Sequence, residues 1–115
     1  MAGFNINGQW IAHQSNGFDV SFNLQVITGQ DSNGQVRPLV NGTAKQTQAG
    51  GPSGTVKEGQ LSETEFNVLV NWDGGSRGEY FATFGSDGRL RGLTRDIDHP
   101  QSQATWFSQK QFPPA

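Results

Sequence analysis

Apolar and polar residues alternate along most of this chain, most regularly between residues 64 and 94. One parity there is apolar and consists of Phe66, Val68, Val70 and Trp72, and the other is mostly polar and consists of Glu65, Asn67, Leu69 and Asn71. Successive side chains of a β-strand point to opposite faces, so this alternation predicts a strand with one buried face. The glycine-rich turn after Trp72 and the Asp87-Gly88 pair are typical of hairpins. The segment therefore predicts three antiparallel strands, near 66–73, 78–84 and 89–97.

The remaining sequence predicts five more strands separated by turn residues. They lie near 8–13, 18–26, 39–48, 55–61 and 103–112. Asn16-Gly17 and the loop from Gly29 to Gly34 are typical hairpin connections. Two prolines bear on the strand pattern. Pro38 argues against a central strand at its position, and Pro100 is expected to break pairing and predicts a loop over 98–102.

The pattern predicts an all-β fold. No stretch carries the apolar stripe of an amphipathic helix, and turn signals recur at short intervals along the whole chain. We expect a single domain spanning residues 1–115, folded as an antiparallel up-and-down β-barrel of eight strands. A two-sheet sandwich is the structural alternative. A weak internal repeat, in which the residues around Gly42-Thr43 are echoed around Gly92, is consistent with two similar halves of four strands.

The first part of the chain resembles the avidin family in its arrangement of turns, which lipocalin-like barrels largely share. The matching residues are Gly8-Gln9-Trp10, Ser15 to Phe18, Gly34-Gln35-Val36 and Gly42-Thr43-Ala44. This resemblance implies a small eight-stranded barrel. In the avidin family an asparagine and an aromatic residue contact biotin at the places where this chain has Ala12 and Ala44. The resemblance therefore implies the barrel without the biotin contacts.

Composition narrows the classes of function. Charged residues make up 16% of the chain and the net charge is −2, while there are 12 Gln, 8 Asn and 16 Gly. Such a surface gives little long-range support to nucleic-acid binding. The chain has no cysteine, which excludes disulfides and thiolate metal sites. We expect no signal peptide in this chain and no membrane partner, because its start is polar and no apolar run approaches about 20 residues. Both a secreted mature form and a cytoplasmic protein fit the sequence.

The three tryptophans are the main candidate binding residues. An aromatic face can pack on the C–H face of a sugar ring while amides and carboxylates bind its hydroxyls. Such polar partners lie close to the tryptophans in sequence. The predicted ligand-binding set is Gln9, Trp10, Asn71, Trp72, Asp73, Gln103 and Trp106. These residues favour a non-catalytic, lectin-like protein that binds carbohydrate at strand ends and loops.

Two other functions remain open. An eight-stranded barrel can hold a small apolar ligand inside, as the avidin and lipocalin resemblance implies. Alternatively, the chain could be a hydrolase inhibitor or another protein-interaction module that inserts the segment 2–7 or the loop 46–54 into a cleft. Homo-oligomerisation through a barrel face is also plausible, because the interior cannot obviously hold all of Leu69, Phe81 and Leu93.

The other polar clusters are expected to be ordinary surface residues. Asp96, Asp98 and His99 could contribute metal ligands, but no second ligand group stands at a recognisable spacing. A row of arginines, Arg89, Arg91 and Arg95, shares one parity and is expected to pair with carboxylates such as Glu79. Nothing resembles a nucleophile elbow around the two histidines. We therefore expect no enzyme activity, no cofactor and no metal.

Overall fold

Eight antiparallel strands form one sheet that closes into a ring. The computed structural model describes residues 3–30 and 32–114 of the chain, and for Glu58 only the backbone. The strands are β1 (Gly8–Gln14), β2 (Val20–Gln30), β3 (Val36–Gln46), β4 (Ser53–Leu61), β5 (Glu65–Trp72), β6 (Arg77–Phe84), β7 (Leu90–Asp96) and β8 (His99–Ser108). Each strand pairs with the next, and β8 pairs with β1. The predicted all-β barrel is confirmed, and its described residues include no helix long and apolar enough to cross a membrane.

The alternation in β5 has the predicted orientation. Phe66, Val68 and Val70 are fully buried, while the other parity lies at the outer surface. The same alternation holds on the neighbouring strands, where one parity of each supplies the interior. The largest fully buried side chains on the strands are Val20, Phe22, Val40, Val56, Phe66, Val68, Val70 and Leu90. Burial of this one face supplies the main apolar driving force for closing the sheet.

Aromatic rings fill the centre of the barrel. The Trp10 ring lies 5.0 Å from Phe22, 5.8 Å from Phe66 and 6.2 Å from Trp106, measured between ring centroids. Tyr80 meets Phe22 and Trp106 edge-on at 5.1 and 5.7 Å. Edge-on and tilted pairs of this kind place the positive edge of one ring against the negative face of another. The cluster joins β1, β2, β5, β6 and β8 across the interior.

One end of the barrel, called here the plugged end, is closed by residues from both chain ends. Phe4 stacks on Phe84 at 4.5 Å, and Phe112 meets Trp10 at 5.0 Å. The backbone nitrogen of Asn5 donates to the carbonyl of Pro113, and the indole of Trp10 donates to the carbonyl of Ile6. The first and last described segments are therefore packed against the barrel and against each other.

Two glycines allow adjacent strands to approach closely. A Cβ atom on Gly42 of β3 would lie 2.1 Å from the carbonyl oxygen of Asn23 on β2, and one on Gly92 of β7 would lie 1.9 Å from that of Phe81 on β6. Both contacts are with backbone, which cannot move aside without breaking the ladder. The weak repeat around these residues thus corresponds to the same close strand contact in each half of the barrel.

The expectation about Pro100 needs correction, whereas Pro38 lies at a position that is not central, as expected. Pro100 lies within β8, which begins at His99 rather than near Gln103, and the register shifts between Arg95 and Asp96 to admit the short turn. Pro38 lies within β3 and pairs with Thr28 of β2. It is tolerated because β4 pairs with β3 only from Leu39 onward, so Pro38 lies on a part of β3 that has one strand neighbour.

Some strand limits also differ from the sequence prediction. β2 and β3 extend beyond the barrel as a two-stranded hairpin, so the predicted Gly29–Gly34 loop is shorter than expected, and Asp31 within it lies outside the described residues. β8 ends at Ser108, and Phe112 is buried at the plugged end instead of continuing the strand. The apolar character of Phe112 reflects this plug rather than a strand face.

Replacement of Gly92 tests the close strand contact. Gly92→Ala forces a methyl group into the β6 backbone, and we expect it to lower the free energy of unfolding by about 3 kcal/mol. Denaturant melts of the purified variant measure this loss. The control is Gly74→Ala in the β5–β6 turn, where a Cβ would meet no atom within 4 Å. Equal stability of the two variants would contradict the proposed backbone constraint.

Candidate functional site

A polar cleft opens at the end of the barrel opposite the plugged end. Its volume is about 200 Å³. It lies where the odd-numbered strands finish and the even-numbered strands begin, so four hairpin ends contribute to it. The side chains on which its chemistry depends are Gln14, Gln46, Trp72, Tyr80, Thr94, Asp96 and Gln103. We call it the mouth cleft. It combines an aromatic surface with convergent amide, hydroxyl and carboxylate groups.

The floor of the mouth cleft is the hydroxyl end of Tyr80. Its ring belongs to the central aromatic cluster, and its hydroxyl donates to the side-chain carbonyl of Gln14. The amide nitrogen of Gln14 in turn donates to the side chain of Asn16 at 3.2 Å. Burial raises the pKa of Tyr80 to about 12, and a hydrogen bond with Thr94 opposes part of this shift. The floor is therefore a neutral and oriented hydrogen-bonding group.

Trp72 forms one wall of the mouth cleft and lies over glycines on both neighbouring strands. A Cβ on Gly54 of β4 would lie 3.1 Å from the indole ring, and one on Gly78 of β6 would lie 3.1 Å from its nitrogen. These glycines leave room for the indole to lie across β4 and β6. Trp72 is only half-buried, and its indole N–H has no hydrogen-bond acceptor among the described residues. The ring thus offers a face and a donor to a ligand or to water.

The charged groups around the mouth cleft are already paired. Arg77 donates to Asp98 at 2.8 Å, and Arg95 donates to Glu79 at 3.1 Å. The hydrogen bond from Arg77 holds the pKa of Asp98 below its usual value, and the Asp98 carboxylate likewise raises the pKa of Arg77. Since both arginines are directed to partners on the outer wall, the mouth cleft presents mainly uncharged hydrogen-bonding groups.

The structure separates the predicted binding residues into three groups. Trp72 and Gln103 line the mouth cleft. Trp10 and Trp106 belong to the core, at 3% and 2% exposure, and their indole nitrogens donate to the carbonyls of Ile6 and Leu93. The other predicted residues, Gln9, Asn71 and Asp73, are exposed on the outer wall or on the β5–β6 turn. Only two of the seven are therefore brought together.

Sequence reasoning missed the residues that form most of the mouth cleft. Gln14, Gln46 and Thr94 continue the inward parity of β1, β3 and β7 and are polar where the preceding inward positions are apolar. In an up-and-down barrel these strand ends meet at one end. A search for polar residues on the inward parity would have found them, whereas we chose residues adjacent in sequence to tryptophans.

The structure also places the candidate metal ligands and the two segments proposed for insertion into a partner. His99 lies 3.4 Å from Asp96, but Asp98 is bonded to Arg77, and the described residues contain no group of three or more potential metal ligands. Residues 3–7 of the proposed insertion segment pack into the plugged end, and Ala2 lies outside the described residues. The loop 46–54 is closed by backbone hydrogen bonds from Gln46 to Pro52 and from Gly51 to Gln48.

A second depression lies at the plugged end. It is larger than the mouth cleft, and its surface is more apolar. Its volume is about 780 Å³, and it is lined mainly by apolar side chains, among them Phe4, Val26, Pro38 and Leu61. It is open along one side, and the side-chain oxygens of its two amide residues, Asn5 and Asn7, already accept from the backbone nitrogens of Asn7 and Val26. Specific recognition of a small ligand depends on a few placed polar groups, which favours the mouth cleft as the candidate site.

Comparison with known proteins does not identify a function for the mouth cleft. No family model matches the chain, and no curated protein is significantly similar to it in sequence. Any functional conclusion therefore depends on the chemistry of the mouth cleft itself.

Titration of Tyr80 tests the burial of the cleft floor. It is the only tyrosine in the chain, so the phenolate absorbance reports this residue alone. We expect a midpoint near pH 12, because burial raises its pKa to about 12. A midpoint near 10, the value for an exposed tyrosine, would contradict the buried floor.

The same shift predicts a pH dependence of stability. The unfolded chain ionises Tyr80 near pH 10, whereas the folded protein keeps it neutral, so the stabilisation is complete below pH 10. It should be lost as the pH rises from about 10 to about 12, by up to about 3 kcal/mol. Denaturant melts of the unaltered protein and of Tyr80→Phe measure it, since the variant lacks this contribution. Parallel pH profiles for the two proteins would disprove it.

Proposed function

We propose that this protein is a non-catalytic carbohydrate-binding protein that holds one uncharged sugar residue in the mouth cleft. The observation that carries the proposal is the half-exposed indole of Trp72 beside convergent amide and hydroxyl side chains in a cleft of about 200 Å³. That volume is below the roughly 300–1,000 Å³ typical of sites for drug-sized ligands. It suits a single ring better than an extended ligand.

The chemistry of the cleft favours a sugar over other small polar molecules. A pyranose has an apolar C–H face, which can pack on the indole of Trp72, and hydroxyls around its edge. Those hydroxyls require both donors and acceptors, and the amide of Gln46 offers both. The Gln103 amide offers chiefly its oxygen, because its nitrogen donates to the carbonyl of Pro100, and Gln14 already bonds Tyr80 and Asn16. Because Arg77 and Arg95 are paired with carboxylates, a neutral sugar is favoured over a phosphorylated or acidic one.

The avidin and lipocalin resemblance suggests a different ligand position, inside the barrel. In this chain, the rings of Trp10, Phe22, Phe66 and Trp106 occupy that interior and contact one another. An apolar ligand there would have to displace a packed aromatic ring. The mouth cleft is the inward-facing space that the side chains leave open, and our proposal therefore moves the ligand from the interior to the barrel opening.

A glycan array probed with labelled protein, with and without EDTA, tests the proposal. We expect selective binding of neutral glycans that survives EDTA, because no metal is required by the mouth cleft. A blank array would overturn the carbohydrate proposal. Binding that is lost in EDTA would contradict a metal-free site and would direct attention to Asp96 and His99.

Substitution of Trp72 links the binding to this cleft. Trp72→Ala removes the stacking face and should weaken binding of an array-identified glycan by about tenfold or more, corresponding to about 1.5 kcal/mol. Trp72→Phe keeps an aromatic face and should lose less. Isothermal titration calorimetry measures both. The control is Ile27→Ala, which truncates an exposed apolar side chain on the projecting hairpin. Unchanged affinity in Trp72→Ala would place the sugar elsewhere on the protein.

A further inference from the structure

We propose that Asp96 determines which sugars the mouth cleft accepts, because its carboxylate receives hydrogen bonds from two neighbouring sugar hydroxyls. This inference rests on the proposed carbohydrate function and narrows its ligand to a neutral pyranose with two adjacent free hydroxyl groups. Asp96 is the last residue of β7. It is also the one carboxylate among the described residues that line the mouth cleft.

The position of Asp96 follows from the alternation of β7. Leu90 and Thr94 lie on the inward parity of this strand, and Asp96 is the next inward residue. The Thr94 side chain hydrogen-bonds to the hydroxyl of Tyr80, which is the floor of the cleft. The Asp96 side chain is 28% exposed, compared with 8% for Thr94. Asp96 therefore lies between the floor and the solvent, on the inner side of the barrel opening.

The arginines near the cleft do not neutralise this carboxylate. Arg77 is held by Asp98, so Asp96 acts on it only over a longer distance. In the described part of the chain, the basic group that pairs with Asp96 is the imidazole of His99, at 3.4 Å from the carboxylate. The side chain of His99 is 72% exposed, and an ion pair in such a position contributes little. Asp96 thus presents a charged acceptor to whatever enters the cleft.

The carboxylate of Asp96 also has hydrogen-bonding capacity to spare. Its two oxygens together can accept about four hydrogen bonds. Its Oδ1 atom accepts from the backbone nitrogen of Asp98 at 2.9 Å, and the other oxygen lies near His99. Acceptor capacity therefore remains on both oxygens after these contacts are counted. Two adjacent hydroxyls of one sugar ring can donate to the two oxygens of a carboxylate at the same time, whereas hydroxyls farther apart cannot.

The other groups in the cleft make this contact selective. A hydrogen bond to an ionised oxygen is roughly twice as strong as one to a neutral amide oxygen. Asp96 should therefore discriminate between sugars more strongly than Gln46 or Gln103 does. The indole of Trp72 offers a ring face and an N–H donor from β5, while Asp96 offers acceptors from β7. A sugar packed on Trp72 is then oriented by which of its hydroxyls reach the carboxylate.

Titrations followed by protein NMR, with methyl glycosides of glucose, mannose and galactose and their monodeoxy derivatives, test this inference. The unaltered protein should bind at least one parent glycoside, and removal of either of two adjacent hydroxyls should weaken binding about tenfold or more. Asp96→Asn should weaken binding of the parent by about tenfold or more. Removal of the same hydroxyls should then cost this variant much less, because the hydroxyls and the carboxylate act as a pair.

The choice of variants separates a sugar contact from a role in the turn alone. Asp96→Asn keeps a side-chain oxygen for the backbone nitrogen of Asp98, but its other terminal atom becomes an amide nitrogen, which only donates. Asp96→Ala removes both the turn bond and the charge. Asp73→Asn is the matched control, because it removes the same charge from the exposed β5–β6 turn, outside the residues that line the cleft. Its affinity should equal that of the unaltered protein.

Three results would contradict the role of Asp96. Unchanged glycoside binding by Asp96→Asn, with a loss in Asp96→Ala alone, would mean that Asp96 only shapes the turn. The proposed function would survive that result if Trp72→Ala still lost affinity. Equal losses on deoxygenation in the unaltered protein and in Asp96→Asn would show that the hydroxyls contact other groups. Failure to bind any of the three parent glycosides would overturn the inference, and a blank glycan array would overturn the proposed function as well.

Discussion

The fold depends on filling the inside of a closed eight-stranded sheet, and the side chain of Trp10 is central to that packing. Its ring contacts those of Phe22, Phe66 and Trp106 across the interior and that of Phe112 at the plugged end. Its indole nitrogen donates to the backbone just before β1. A barrel of this size has an interior just wide enough for side chains, so a few large rings can replace the layered core of a sandwich. Within the ring, closure also removes free sheet edges, which would otherwise promote aggregation. The projecting part of the β2–β3 hairpin is an exception, because each of its strands has one strand neighbour there.

The two ends of the barrel are closed in different ways, and this difference creates the candidate site. At the plugged end, aromatic residues from both chain termini cover the core. At the other end, the inward side chains are polar, and Tyr80 is both the last ring of the core and the floor of the mouth cleft. A buried hydroxyl must have a partner, and Gln14 provides it from across the barrel. The site is thus built on paired strand ends, which makes its geometry more rigid than that of a site on long loops.

Most of the fold was predictable from the sequence, because alternation and turn residues are local signals. The number of strands, their order and the buried parity of β5 followed from them. The roles of the tryptophans did not, because Trp10 and Trp72 have the same parity on their strands and differ only in their height along the barrel axis. Height depends on register and on closure, which sequence adjacency does not reveal. The prediction for Pro100 failed for a related reason, because β8 begins at His99 instead of after a loop. That for Pro38 held, since the pairing of β3 with β4 begins only at Leu39.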